Sequence, residues 1–220
     1  MEAPNTQPTS VIQPFLFAVG DGNHSLASAK EIWDEYKKQN GVKDHPCRYA
    51  LVEIENIYDP AITFEPIHRV VFGLNFEEAL DAFSALPGFS SRMIGTPGEL
   101  VRLTREPIKG NRFGLISQKR YALVETSAGG LSTACLQPLL DNAVGVSKGA
   151  LTIDYIHGED EVFRLANGIE KPTTGMLLPP VQKAGFFETI ARNGPLPRKS
   201  FSMGEACEKR FYIECRRLFG

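Results

Sequence analysis

Hydrophobic and polar positions change their spacing several times along the chain, and each change marks an element. PFLFAV, 14–19, is a short apolar run expected as a buried strand, and GDGN turns the chain after it. From His24 the apolar positions Leu26, Ala29, Trp33 and Tyr36 recur near the 3.6-residue period, with Lys30, Glu31, Asp34 and Lys37 on the other side. That spacing predicts an amphipathic helix, and Gly41 closes it. Alternation in HPCRYALVEIENI predicts a strand centred on Tyr49 to Ile54.

Residues 62–74 read as extended chain, interrupted by Pro66 and resumed at Val70 to Phe72. Asn75 and Glu78 stand at capping-box spacing ahead of a helix through Phe83, and Pro87 with the glycines at 88, 95 and 98 makes the next stretch irregular. Two strands around a polar turn are expected over 112–126, followed by a helix from LSTACLQPLLDNAVG with Pro138 as its weak point. ALTIDYIHG, GEDEVFRLANG, GMLLP and VQKAGFFETIARNG then predict strand, helix, strand and helix. A last helix is expected to start at Ser202, with Glu205 at capping-box spacing. The order is that of an α+β fold of mixed short strands and helices, with a flexible lead-in over 1–13 and a single domain over 14–220.

Composition narrows the function classes. Of 220 residues, 24 are Lys or Arg and 26 are Asp or Glu, a formal net charge of -2, which gives nucleic acid no broad basic surface. No run approaches the ~20 apolar residues of a membrane span, and MEAPNTQPTS lacks the pattern of a secretory leader, so a cytoplasmic protein is expected. The cysteines at 47, 135, 207 and 215 lack the close pairs of a structural zinc site and are expected as reduced thiols.

Candidate chemistry concentrates in VGDGNHS, 19–25. A sharp strand-to-helix turn leaves backbone N–H groups pointing outward where the helix dipole favours an anion. Gly20 and Gly22 permit turn dihedrals and close approach of a phosphate, with Asn23 and Ser25 beside them. Asp21 is placed to hold Mg2+ or orient a hydroxyl, and His24 to bond phosphate or move a proton. The pattern is neither GxGxxG nor Walker A. Helix capping by Asp21 or Asn23 accounts for the same residues without a ligand.

FAVGDGNHSLASAKEIW, FEPIHRVVFG at 64–73 and PRKSFSMGEACEKRFYIECRRL at 197–218 together resemble the carboxyl-terminal half of the bacterial family called domain of unknown function 1015. The resemblance implies a further amino-terminal region, which this sequence lacks, and contact with that region or with a partner chain is expected. The family's more usual loop reads Asp-Gly-His-His-Arg and is similar to one in the ParB and sulfiredoxin superfamily, which includes a nucleotide-dependent free-serine kinase. Asp21, Gly22 and His24 keep their places in that loop, while Asn23 stands for a histidine and Ser25 for the arginine. A serine hydroxyl is one neutral donor where an arginine offers a charged fork.

The resemblance implies a fold like part of the ParB and sulfiredoxin type and a phosphate-bearing small molecule as ligand, with nucleotide and Mg2+ as cofactors of a phosphotransferase. As site residues His68 would move a proton and Arg69 stabilise phosphoryl oxygens, with Asp21 as the metal residue; the alternative is that Arg69 pairs with Glu65 or another carboxylate and His68 is a satisfied polar residue at a strand end. A non-catalytic ligand-binding or protein-interaction module is the rival. Among lesser candidates, Glu53 and Glu55 share a strand face and are open either to a metal with Asp21 or to water. Arg198 and Lys199 precede the last helix as a second anion site or a solubilising pair. His157 reads as a turn residue, His45 before Pro46 carries no signal, and Cys207 reads as a packed thiol.

Overall fold

The computed structural model describes residues 17–168, 171–197 and 199–204. An antiparallel sheet organises them. Its strands are β1 (Phe64–Phe72), β2 (Ser90–Ile94), β3 (Asn111–Ser117), β4 (Arg120–Thr126), β5 (Thr152–His157), β6 (Thr173–Leu177) and β7 (Phe201–Met203). The spatial order is β2-β4-β3-β6-β1-β5, and β7 pairs with the start of β1. The helices are α1 (Asn23–Asn40), α2 (Phe76–Phe83), α3 (Pro97–Arg105), α4 (Ser132–Val146), α5 (Glu159–Ala166) and α6 (Phe186–Asn193). The α+β class expected from the sequence is the class observed.

Alternation along β1 sends successive side chains to opposite faces, and each face has its own core. Val71 packs with Phe76, Ala79, Phe83, Leu136 and Leu140 of α2 and α4. Val70 packs with Leu100, Leu103, Val162 and Ala166 of α3 and α5. The sheet is therefore covered by helices on both sides, which is why six of the nine β1 residues are buried, every one from Ile67 to Val71 among them.

Several local expectations hold. Asn75 and Glu78 close a reciprocal capping box at α2, Asn75 Oδ1 accepting from the Glu78 amide at 2.9 Å and Glu78 Oε2 from the Asn75 amide at 3.1 Å. The α1 line Leu26, Ala29, Trp33 and Tyr36 is the half-buried side of that helix, and Gly41 ends it in the left-handed conformation. Pro138 does not break α4, which runs through it.

Other expectations are corrected. Tyr49 to Ile54 forms no strand; a strand needs a neighbour for its backbone groups, and among the described residues none runs beside it. Leu51 is 83% exposed and Ile54 71%. Pro66 interrupts nothing, because it precedes the residues flanked by β5 from Ile67 and by β6 from Arg69. The stretch after Pro87 contains β2 and α3, whose start is capped by Thr96, accepting from the Glu99 amide, with Pro97 in the first turn. Ser202 is a strand residue opposite Glu65, so it caps no helix, and the remainder of the expected last helix lies outside the described residues. Residues 17–19 of the first expected strand are not in a strand, and the rest of it and the lead-in also lie outside.

Gly175 fixes how closely α5 meets β6. A Cβ there would stand 2.7 Å from Val162 Cγ1 and 3.0 Å from Ala166 Cβ. Gly175→Ala is expected to cost about 1–3 kcal/mol through overpacking, read as a lowered urea midpoint at unchanged slope.

Candidate functional site

At the glycine junction Gly22 takes φ 75° and ψ 16°, the left-handed region open to a residue without Cβ, and serves as the N-cap of α1. No side chain caps the helix. Asp21 Oδ1 accepts from the Gly22 amide at 2.7 Å, one residue short of the positions a capping carboxylate serves. The first intrahelical bond runs from Leu26 N to Gly22 O, leaving the amides of Asn23, His24 and Ser25 without an acceptor among the described residues. Capping by Asp21 or Asn23 is thus not how this helix starts. Residues 17–25 are exposed, so the three donors are open to an anion.

Gly20 lies against the end of β7, where an added Cβ would fall 2.9 Å from Met203 Cε and Sδ. Met203 is in turn opposite Phe64 at the start of β1. The glycine loop is therefore tied to the same strand that carries His68 and Arg69, but to its other end.

His68 and Arg69 are 1% and 0% exposed and leave the strand on opposite faces. The expectation that both join Asp21 and His24 in one pocket fails on that geometry: adjacent strand residues cannot turn the same way, and the glycine junction lies in solvent. His68 Nδ1 accepts from the Leu178 amide at 3.0 Å, so its proton sits on Nε2. Burial, with the charges of Arg69, Arg105 and His157 behind it, pushes the imidazole down to about 4.

Arg69 faces α4. Its Nε donates to Gln137 Oε1 at 2.9 Å, its Nη1 donates to the Ile67 carbonyl, and its carbon centre lies 4.8 Å from the centroid of Tyr155, directly opposite on β5. Nη2 is buried with no hydrogen-bond partner among the described residues. Burial lowers the guanidinium to about 10, against the raising influence of Tyr155 and Asp141. Gln137 Nε2 continues the network, donating to Asp141 Oδ1 at 2.8 Å and to the Tyr155 hydroxyl oxygen at 3.1 Å.

Above this network is an open cleft of about 300 Å³, lined by Ala134, Gln137, Pro138, Asp141, Tyr155 and Pro197. None of these six was a candidate from the sequence. Gln137 and Asp141 stand four apart on one helix face, a legible pair, but only the β1–β5 pairing brings Tyr155 and Arg69 to them.

The lesser candidates separate. Glu53 and Glu55 are exposed, and no group of three His, Cys, Asp or Glu among the described residues is placed to hold a metal, so they form no cluster with Asp21. His45 caps the 3-10 turn Pro46–Arg48, its Nδ1 accepting from the Cys47 amide at 3.3 Å. His157 is exposed at the end of β5, and Lys199 is exposed with φ 58°. Arg198 and Cys207 lie outside the described residues. No helix among the described residues is long and apolar enough to cross a membrane.

A family model described as "Protein of unknown function (DUF1015)" matches residues 6–143. No curated protein matches the chain. Among solved structures, a free serine kinase in complex with AMP is 15% identical with a TM-score of 0.54, over 84% of this chain and 66% of its own. A mutant free serine kinase in complex with ADP is 19% identical with a TM-score of 0.51, over the same shares, 84% and 66%. A conserved hypothetical protein from Pyrococcus furiosus is 15% identical with a TM-score of 0.55, over 86% of this chain and 70% of its own. At these identities the likeness is one of fold, and the chain spans 66% of the kinases' length.

Proposed function

Because this chain belongs to the DUF1015 family, whose description carries no reaction, we propose from the site itself that it is a cytoplasmic phosphotransferase binding a nucleotide or phosphometabolite at the glycine junction. The observation that carries this reading is the trio of amides at Asn23, His24 and Ser25, without an acceptor among the described residues, on an exposed helix start. The fold shared with AMP- and ADP-bound kinases supports it, as does the loop's similarity to the ParB and sulfiredoxin type.

In this reading Gly20 and Gly22 let the phosphate approach the backbone, and the amides of Asn23, His24 and Ser25 bond its oxygens. His24 moves a proton or adds charge. A single carboxylate fits Mg2+ only as one brought in on substrate phosphates, and Asp21 is that carboxylate. His68 and Arg69 lie outside this site because both are buried. Positioning and charge stabilisation are the protein's main tasks in phosphoryl transfer.

Titration of the full chain with AMP and ADP, with and without Mg2+, tests the site. Asp21→Asn is expected to weaken Mg-ADP about tenfold, about 1.4 kcal/mol. Ser25→Arg adds a charged fork beside the phosphate and is expected to tighten ADP about tenfold. Absence of saturable nucleotide binding, or indifference to both changes, would overturn the reading.

One observation favours an interaction module instead. Leu51, Val52 and Ile54, with Tyr58 in the turn that follows, are all more than half exposed, an apolar strip of the kind protein partners cover. Mixing the chain with a partner protein that covers this strip would bury it. Protection of 49–58 from amide exchange in that mixture, without nucleotide binding, would favour this second reading.

A further inference from the structure

A buried guanidinium ordinarily meets a carboxylate, and Arg69 does not. Its two bonded nitrogens meet a neutral amide oxygen and a backbone carbonyl, and its third, Nη2, has no hydrogen-bond partner among the described residues. We propose that the cleft between α4 and β5 binds a small organic carboxylate, with Arg69 Nη2 and the Tyr155 hydroxyl as its donors. This inference is independent of the glycine junction.

Direction comes first. Nη2 lies on the same edge of the planar guanidinium as Nε, the edge that forms side-on pairs with carboxylates. Nε meets Gln137, a residue of the cleft wall, so the unpartnered nitrogen faces the cleft side. The Gln137 carboxamide and the Tyr155 ring form the layer between them. A ligand reaches Nη2 by turning the Gln137 side chain aside.

The lining then selects the ligand. Asp141 places a negative charge in the same wall, which a carboxylate tolerates better than a phosphate dianion. Ala134, Pro138 and Pro197 supply apolar contact for the body of a compact molecule, and about 300 Å³ suits a small one. Asp141 also offers acceptance to a hydroxyl or ammonium next to the carboxylate. Pro138 has no N–H to occupy the Ala134 carbonyl, which adds a second acceptor at the same wall. A 2-hydroxy or 2-amino acid has this combination of groups.

The test is calorimetric and NMR titration of the full chain with glycolate, glycine and inorganic phosphate. At least one of the two carboxylates is expected to saturate, with phosphate at least tenfold weaker. Gln137→Glu combined with Asp141→Asn supplies an internal carboxylate to Nε and Nη2 at unchanged net charge. This double variant is expected to bind the carboxylate at least tenfold more weakly, with unchanged circular dichroism and unchanged ADP titration. Tyr155→Phe, which removes one hydroxyl, is expected to weaken it several-fold and decides the matter should the double variant misfold. The proposal is overturned by no saturation with either carboxylate, by phosphate binding most tightly, or by wild-type affinity in Tyr155→Phe.

Discussion

Truncation of Arg69 to alanine is expected to destabilise the chain by about 3–5 kcal/mol, enough to remove much of a typical domain's stability. The loss has two parts. Gln137 Oε1 and the Ile67 carbonyl, both in the interior, lose their donor, and a large fully buried side chain leaves a void beneath Tyr155. Arg69→Met separates the parts, since it fills most of the volume while removing the charge and the N–H donors. It is expected to cost no more than about 1–3 kcal/mol, because exchanging buried ions for well-packed apolar groups is often neutral. Urea unfolding of both variants at one pH measures the difference, provided the slopes agree. A methionine variant as stable as the wild type would mean the charge is kept for something other than the fold. Equal losses in the two variants would mean that the polar network itself holds α4 to the sheet.

Elements whose cause is local were legible in the sequence. The Asn75–Glu78 box, the α1 face ending at Gly41, and the pair of strands around Gln118 and Lys119 each follow from residues adjacent in the chain. The short turn after β3 places both Gln118 and Lys119 at positive φ, a tight reversal in keeping with its polar residues. Where reading failed, a distant partner decided. Tyr49 to Ile54 has the alternation of a strand but no neighbour to make it one. SFSMGE has the spacing of a helix start, yet Phe201 to Met203 are taken by the ladder to Phe64–Pro66. After Pro87 the signal was present, Thr96-Pro97 with Glu99, and the surrounding glycines masked it.

The site divides in the same way. Open amides after Gly22 follow from a strand-free glycine loop that feeds a helix, a local property. That His68 and Arg69 point apart also follows from a local rule, once they are known to lie in an unbroken strand. Pro66 obscured that continuity. Gln137, Asp141 and Tyr155 could not be attached to Arg69 without the pairing of Arg69 with Tyr155, which joins residues far apart in sequence.

His68 gives the chain a pH response with a definite sign. Its imidazole titrates at about 4 in the fold against an ordinary 6.5, with burial as the main cause. Between those values the unfolded chain binds a proton that the folded chain refuses, so acid favours unfolding. The contribution is neutral above pH 6.5 and stability is lost as the pH falls from there to about 4, reaching about 2–3 kcal/mol by pH 4.5. His68→Asn retains an oxygen to accept from the Leu178 amide but has nothing to titrate. Urea midpoints of wild type and variant, followed from pH 7.5 to 4.5, are expected to diverge with the wild type falling faster. Parallel curves would show that His68 carries its proton in the fold. The same balance bears on chemistry: at neutral pH the buried ring is an uncharged hydrogen-bond acceptor at Nδ1, so His68 brings no charge to a phosphate, and the proposed site is left with the exposed His24 as its imidazole.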